Sequence, residues 1–163
     1  GGLKGIKLHS EYQNFDVNDK SIYHIYDKIR SLDLPLILHG GTNAAYLDRV
    51  RCRPYMVKEV IENFPGLKLI VAHLGGYREV SQTLEFLAGR EDVYLDTSLS
   101  HHLFSKEDAL AVISTHGEER LLFGSDCPWG NPKRSIEFID SLKIPGRKKQ
   151  AILGDNAKRL LKI

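Results

Sequence analysis

Leu69-Ile70-Val71-Ala72-His73-Leu74-Gly75-Gly76 is the stretch that decides the fold. Its run of branched apolar residues reads as a strand buried on both faces, which implies a parallel sheet covered by helices, and the run stops at a histidine. The same grammar recurs in Pro35-Leu36-Ile37-Leu38-His39-Gly40 and in Leu121-Leu122-Phe123-Gly124-Ser125-Asp126. Three apolar runs that each end on a potential metal ligand place chemistry at the C-terminal ends of strands, where parallel α/β folds carry it.

Working outward, strand and helix patterns alternate along the chain with no linker or low-complexity tract. Leu3 to His9 reads as a first strand, followed by a helix from about Val17 to Ser31, with Ile22, Ile25 and Ile29 at helical spacing behind Asp16 as a cap. Pro54 opens a helix whose stripe of Val57, Val60, Ile61 and Phe64 ends at Pro65-Gly66. Val80, Leu84 and Leu87 mark the next helix, and Val93 to Asp96 a fourth strand. Ser105 with Asp108 forms a capping box, Arg120 to Gly124 is a fifth strand, and Asn131-Pro132 opens a helix before a short helical tail. Five strands, each followed by helix, demand right-handed crossovers and a parallel sheet. Residues 1–163 read as one α/β domain.

Composition excludes several classes. The chain has 163 residues, 42% of them hydrophobic, enough for a real core. Its 23 basic and 21 acidic side chains nearly cancel and are scattered, so neither a nucleic-acid footprint nor a membrane-binding face is expected. No apolar stretch approaches the roughly 18 residues of a membrane span, and the start does not resemble a signal peptide. Cys52 and Cys127 are too few for a disulfide framework, which points to a reducing, cytoplasmic setting.

His39 and His73 offer imidazole nitrogens and Asp126 an anionic oxygen, a set suited to zinc or a similar divalent ion. Such an ion lowers the pKa of a bound water and polarises a substrate oxygen, with Asp126 or His73 moving protons. Each residue alone also has a structural reading: a histidine after a strand commonly caps a helix or bonds a loop, and Asp126 alone would brace the Ser125-Asp126-Cys127-Pro128 turn. Asp96 takes that structural reading. Lys7 and His9 share side-chain parity and so face one way, which makes Lys7 a candidate electrostatic group. His101 and His102 follow the fourth strand, within reach of a substrate, although an adjacent pair on a loop is more often solvated, and Cys127 has no evident base partner. Trp129, Tyr46 and Tyr55 are candidates to wall a pocket for an apolar or aromatic substrate.

These motifs form an ordered set: Gly5-Ile6-Lys7-Leu8-His9, Pro35 to Gly41, Ala72-His73-Leu74-Gly75-Gly76, Val93 to Ser98, Leu122 to Pro128, and the tail Ile152 to Leu161. Taken together they resemble the amidohydrolase-2 family of TIM-barrel metal-dependent hydrolases and related decarboxylases, typified by aminocarboxymuconate semialdehyde decarboxylase. The resemblance implies that the five strands correspond to the fourth through eighth strands of an eightfold (β/α) barrel, so that the chain is a partial TIM-type barrel lacking the first three βα units. It further implies that His39 binds the metal, that Asp126 binds it or activates its water, and that His73 is a catalytic acid/base or electrophile, or a ligand in two-metal relatives.

One departure bears on this. The family's first strand carries a His-x-His pair, and no His-x-His occurs in this sequence. Weak metal affinity is the expected consequence, and the open sheet edges imply a homo-oligomer. The leading functional expectation is a metal-dependent hydrolase of a small amide, ester or lactone. A metal-dependent non-oxidative decarboxylase of an aromatic or unsaturated acid is the alternative, and a catalytically silent partial barrel acting as a structural or binding module is the third.

Overall fold

The computed structural model describes residues 2–163. Its strands are β1 (Ile6–Leu8), β2 (Leu36–Leu38), β3 (Leu69–Val71), β4 (Val93–Asp96) and β5 (Leu121–Leu122). They lie side by side in sequence order, every pair parallel. Parallel neighbours in sequence order need one crossover helix each, and repetition of that unit is how a (β/α) barrel is built. The architecture is five βα units of a TIM-type barrel.

Register sorts the side chains into two faces. Leu8, Leu38, Val71, Leu95 and Leu121 lie in one row across the sheet, and Ile6, Leu36, Leu69 and Val93 in another. Both rows point toward the helices α2 (Tyr23–Ser31), α3 (Pro54–Asn63), α4 (Val80–Phe86), α6 (Lys106–His116) and α7 (Pro132–Ser141). There they join Tyr26, Ile29, Val57, Val60, Val112 and Ile139 in the main core. Leu36, Leu38, Leu69, Leu95 and Leu121, wholly buried, each contribute about 1.5–3 kcal/mol of burial free energy.

The intervening row is Lys7, Ile37, Ile70 and Tyr94, which faces the other way. Ile70 and Leu122 pack there with Leu160 of α9 (Asn156–Leu161), with Ile37, Tyr94 and Ala157 around them. The buried Asn156 ties α9 in place by donating to the carbonyls of Glu118 (2.6 Å) and Leu121 (2.7 Å).

Several local expectations hold. Pro54 and Pro132 occupy first helical turns, Ser105 Oγ accepts from Asp108 N–H at 3.0 Å, and Asn131 caps α7 by accepting from Arg134 N–H at 3.2 Å. The first crossover differs from its expectation. A short 3-10 turn at Lys20–Ile22 precedes α2, and Asp19 rather than Asp16 caps it, accepting from Ser21 N–H at 2.8 Å. Asp16 is drawn instead to the buried Arg51, whose Nη1 donates to it at 2.9 Å. Ladder pairing also trims the first and fifth strands to three and two residues. Two four-residue helices, α1 (Ser10–Gln13) and α5 (Ser100–Leu103), are too short to show apolar periodicity in sequence. A π-type turn at Ala151–Asp155 joins α8 (Gly146–Gln150) to α9. Among the described residues no helix is long and apolar enough to cross a membrane.

Candidate metal centre

The C-terminal ends of β1, β2 and β3 and the loop after β5 open onto one cavity of ≈ 420 Å³. Lys7, His9, His39, His73 and Asp126 all line it, with Tyr12, Tyr77, Leu99, Leu103 and Trp129 as apolar walls. All three residues expected from the sequence to work together thus reach one space.

Tight backbone geometry delivers them. His39 leaves β2 directly into Gly40-Gly41, where Gly41 adopts φ +73° and its neighbour Thr42 donates to the Tyr77 carbonyl at 3.0 Å. A side chain at Gly41 would strike the Tyr77 backbone, so only glycine lets the two strand-end loops close on each other. His73, Leu74 and Asp126 hold left-handed φ values of 59°, 49° and 58° without being glycine. Such conformations cost free energy and persist where surrounding bonds over-determine them.

Those bonds are visible around His73. Asp96 Oδ1 accepts from the backbone N–H of His73 at 3.1 Å and of Ser98 at 2.9 Å, and also receives the Ser98 hydroxyl. With its proton committed to Asp96, Ser98 Oγ serves as an acceptor 3.0 Å from His73 Nδ1, and the Ser98 carbonyl lies at 3.0 Å too. His73 Nδ1 is therefore the protonated nitrogen, and Nε2 keeps its lone pair. Nε2 faces His39 Nδ1 at 3.1 Å, close to the ~3.3 Å that separates two ligand nitrogens around a tetrahedral zinc. Asp96 takes the structural role expected of it, and through Ser98 it sets the tautomer of His73.

His39 is buried, and burial, reinforced by the nearby His73 and His9, pushes its pKa down from 6.5 to about 3. A neutral imidazole is the form that binds metal.

Two residues not assigned to the site from sequence complete it. His9 stacks on His39, ring centroids 4.2 Å apart and planes 14° from parallel, and its Nε2 lies 3.2 Å from Asn43 Nδ2. Glu11 follows on α1, its side chain 1% exposed. One ligand atom each from His9, Glu11 and His39 lie within 4.8 Å of one another. Although burial works to raise the Glu11 pKa, His9, the Arg51 backbone N–H and Ser10 together hold it at about 2. His9 Nδ1 is buried, sits 3.4 Å from Glu11 Oε2, and has no hydrogen-bond partner among the described residues. Two imidazoles, one of them with an unpartnered nitrogen, and a carboxylate are a donor set that fits a borderline divalent cation.

Lys7 reaches both this cavity and a second one of ≈ 420 Å³ at the other end of the inner face. Tyr46 packs edge-on against Tyr12 at 5.5 Å, one step behind the wall, whereas Tyr55 projects from α3 outside the cavity lining. His101 sits on α5, 3.2 Å from Ser135 Oγ, and is not part of the lining.

Known proteins give this geometry a context. A dihydroorotase from Coxiella burnetii (strain RSA 331 / Henzerling II) is 25% identical over 166 residues, covering 92% of this chain and 45% of its own length. An uncharacterised TIM-barrel protein from Bordetella bronchiseptica superposes with a TM-score of 0.75 at 25% identity, over 91% of this chain and 52% of that one. The 5-carboxyvanillate decarboxylase of Sphingomonas paucimobilis gives 0.76 at 17% identity, over 99% and 59%. A 5-carboxyvanillate decarboxylase from Novosphingobium aromaticivorans, solved with manganese, gives 0.70 at 16% identity, over 99% and 57%. The chain thus spans about half the length of the proteins it matches. The Amidohydrolase family model matches residues 1–163, the whole of the sequence, and the chain belongs to the amidohydrolase family.

Proposed function

We propose that this chain carries a metal-dependent hydrolytic site in which His39, His73 and Asp126 act on a small amide, ester or lactone. The observation that carries the reading is the buried His39–His73 pair, its nitrogens 3.1 Å apart on a cavity that Asp126 also lines. A divalent ion held by these side chains, zinc in this reading, supplies Lewis acidity toward the substrate oxygen. His39 remains neutral and keeps its lone pair available across the working pH range, since burial holds its pKa near 3. His73, pinned through Nδ1 to Ser98, presents Nε2 as the nitrogen that binds or passes a proton. Asp126, half-buried at the cavity wall, accepts the proton of the attacking water and returns it to the leaving group. Leu99, Leu103 and Trp129 hold the apolar part of the substrate, and the Lys7 ammonium draws its anionic end.

A second reading has its own support. Tyr12, Tyr77 and Trp129 around a cationic Lys7 suit a planar aromatic acid, the substrate of a non-oxidative decarboxylase. Supplying zinc or manganese to the purified chain and assaying lactones, cyclic amides and carboxylated aromatics separates the two. Ring opening without carbon dioxide release, abolished in His39→Ala and Asp126→Asn, is expected. Carbon dioxide release without hydrolysis favours the decarboxylase, and no turnover of either class by the metal-loaded chain overturns both in favour of a silent binding module.

In this proposal the substrate is the only small-molecule partner, and a second copy of the chain covers the open sheet edges. The two free cysteines, Cys52 buried and Cys127 exposed, support a reducing, cytoplasmic setting.

A further inference from the structure

We infer that His9, Glu11 and His39 form a divalent-cation site of their own, built from the β1–α1 turn and the end of β2. It goes beyond the reading above and shares with it only His39, so the chain does not depend on Asp126 to hold an ion.

Charge bookkeeping leads to it. The Glu11 side chain is 1% exposed, and a buried carboxyl group calls for hydrogen-bond donors or a cation around it. The Arg51 guanidinium does not serve: it sends Nη1 to Asp16 and Nη2 to Asn14, and Arg51 offers Glu11 its backbone N–H, 3.0 Å from Oε1. Ser10 Oγ donates to Oε2 at 2.9 Å. His9 Nδ1 stands 3.4 Å from the same Oε2, buried and without a hydrogen-bond partner among the described residues.

The local chain is built to hold these donors. His9 leaves β1 extended, and Gln13 closes α1 on it from both sides: Gln13 Oε1 accepts from His9 N–H at 2.7 Å, and Gln13 N–H donates to the His9 carbonyl at 2.9 Å. This reciprocal lock sets His9 and Glu11 on the same side of the turn, against His39 from the neighbouring strand. Imidazole nitrogens with one carboxylate select zinc or cobalt over magnesium or calcium, which prefer oxygen ligands throughout. The three ligand atoms spread over as much as 4.8 Å, wider than the ~3.3 Å edge of a tetrahedral zinc set. Loading then draws them together and opens the His9–His39 stack.

The test is titration of the metal-free full chain with cobalt(II), read by visible absorption and by the metal-induced rise in melting temperature. Weakening of cobalt binding by at least about tenfold in both His9→Gln and Glu11→Gln supports the site, a loss on the scale of removing a metal-site partner. His9→Gln carries the test if Glu11→Gln does not fold, because the His9 side chain is partly exposed. Unchanged cobalt affinity in His9→Gln overturns the inference, as does a parent chain that binds no cobalt, where a protonated His9 would be the counter-ion. Asp126→Asn, run in parallel, reports separately on the hydrolytic reading: if it and His73→Gln weaken binding while the His9 variant does not, that reading stands and this one falls.

Discussion

A single carboxylate, Asp96, governs the most constrained residue in the cavity. It accepts from His73 N–H, Ser98 N–H and the Ser98 hydroxyl, and so fixes both a left-handed turn and the tautomer of His73. Asp96→Ala leaves the Ser98 N–H without its acceptor and the His73 N–H with only Ser98 Oγ at 3.3 Å, and is expected to cost about 1–3 kcal/mol in urea unfolding. The same variant is expected to weaken metal binding by roughly 10- to 100-fold, because a disordered His73 presents either nitrogen. Acid sensitivity also belongs to this scale. Glu11 has its pKa lowered from 4.5 to about 2, so the stability it adds is complete above about pH 4.5 and disappears as the pH falls toward 2. His39 has its pKa lowered from 6.5 to about 3, so the unfolded chain takes up a proton that the fold refuses, and stability falls as the pH drops from about 6.5 toward 3. Both act in the same direction. Urea midpoints measured at pH 7.5, 5.5 and 4 should decline for the parent chain; His39→Gln flattens the upper part of that decline, and Glu11→Gln the part below pH 4.5. His39, His73 and Asp126 could be read from sequence because each ends an apolar run. Glu11 could not, since its burial and charge are set by the Arg51 loop folding over a four-residue helix.

Secondary elements were readable where local chemistry alone defines them. The capping by Ser105 and Asn131 and the prolines at Pro54 and Pro132 mark helix starts that the structure keeps, because each cap bonds within its own first turn. The cap before α2 is Asp19 and not the expected Asp16, because a distant partner, Arg51, competes for Asp16. The tail shows the same limit in another form: its apolar pattern predicts a helix, but its placement on the inner face depends on Asn156 reaching back to Glu118 and Leu121. Asn156→Ala strips two carbonyls of their donor and is expected to destabilise by about 1–3 kcal/mol, with α9 losing amide-exchange protection before the β2–β3 core. Equal loss of protection in α9 and β3 would show that the tail is not separately anchored.

At the scale of the molecule, sequence-order parallel pairing leaves β1 and β5 each with one paired neighbour. Unpaired strand edges beside an apolar inner face invite pairing with another chain. Light scattering of the purified chain is expected to give a mass of at least two copies, and a monodisperse monomer would remove the homo-oligomer from the proposal. The five-unit architecture was accessible from sequence because buried parallel strands read as continuous apolar runs. The meeting of His9 and Glu11 with His39 was not, because it arises from a turn geometry and a strand register that no single segment encodes. Both donor sets, His39 with His73 and Asp126 and His39 with His9 and Glu11, converge on His39. Calorimetric titration of zinc into the metal-free chain and into His39→Ala tests it most directly. Saturable binding of zinc to the parent chain and its loss in the variant are expected; a parent chain that takes up no zinc, or a His39→Ala chain that binds it equally well, would rule out His39 as the anchoring ligand.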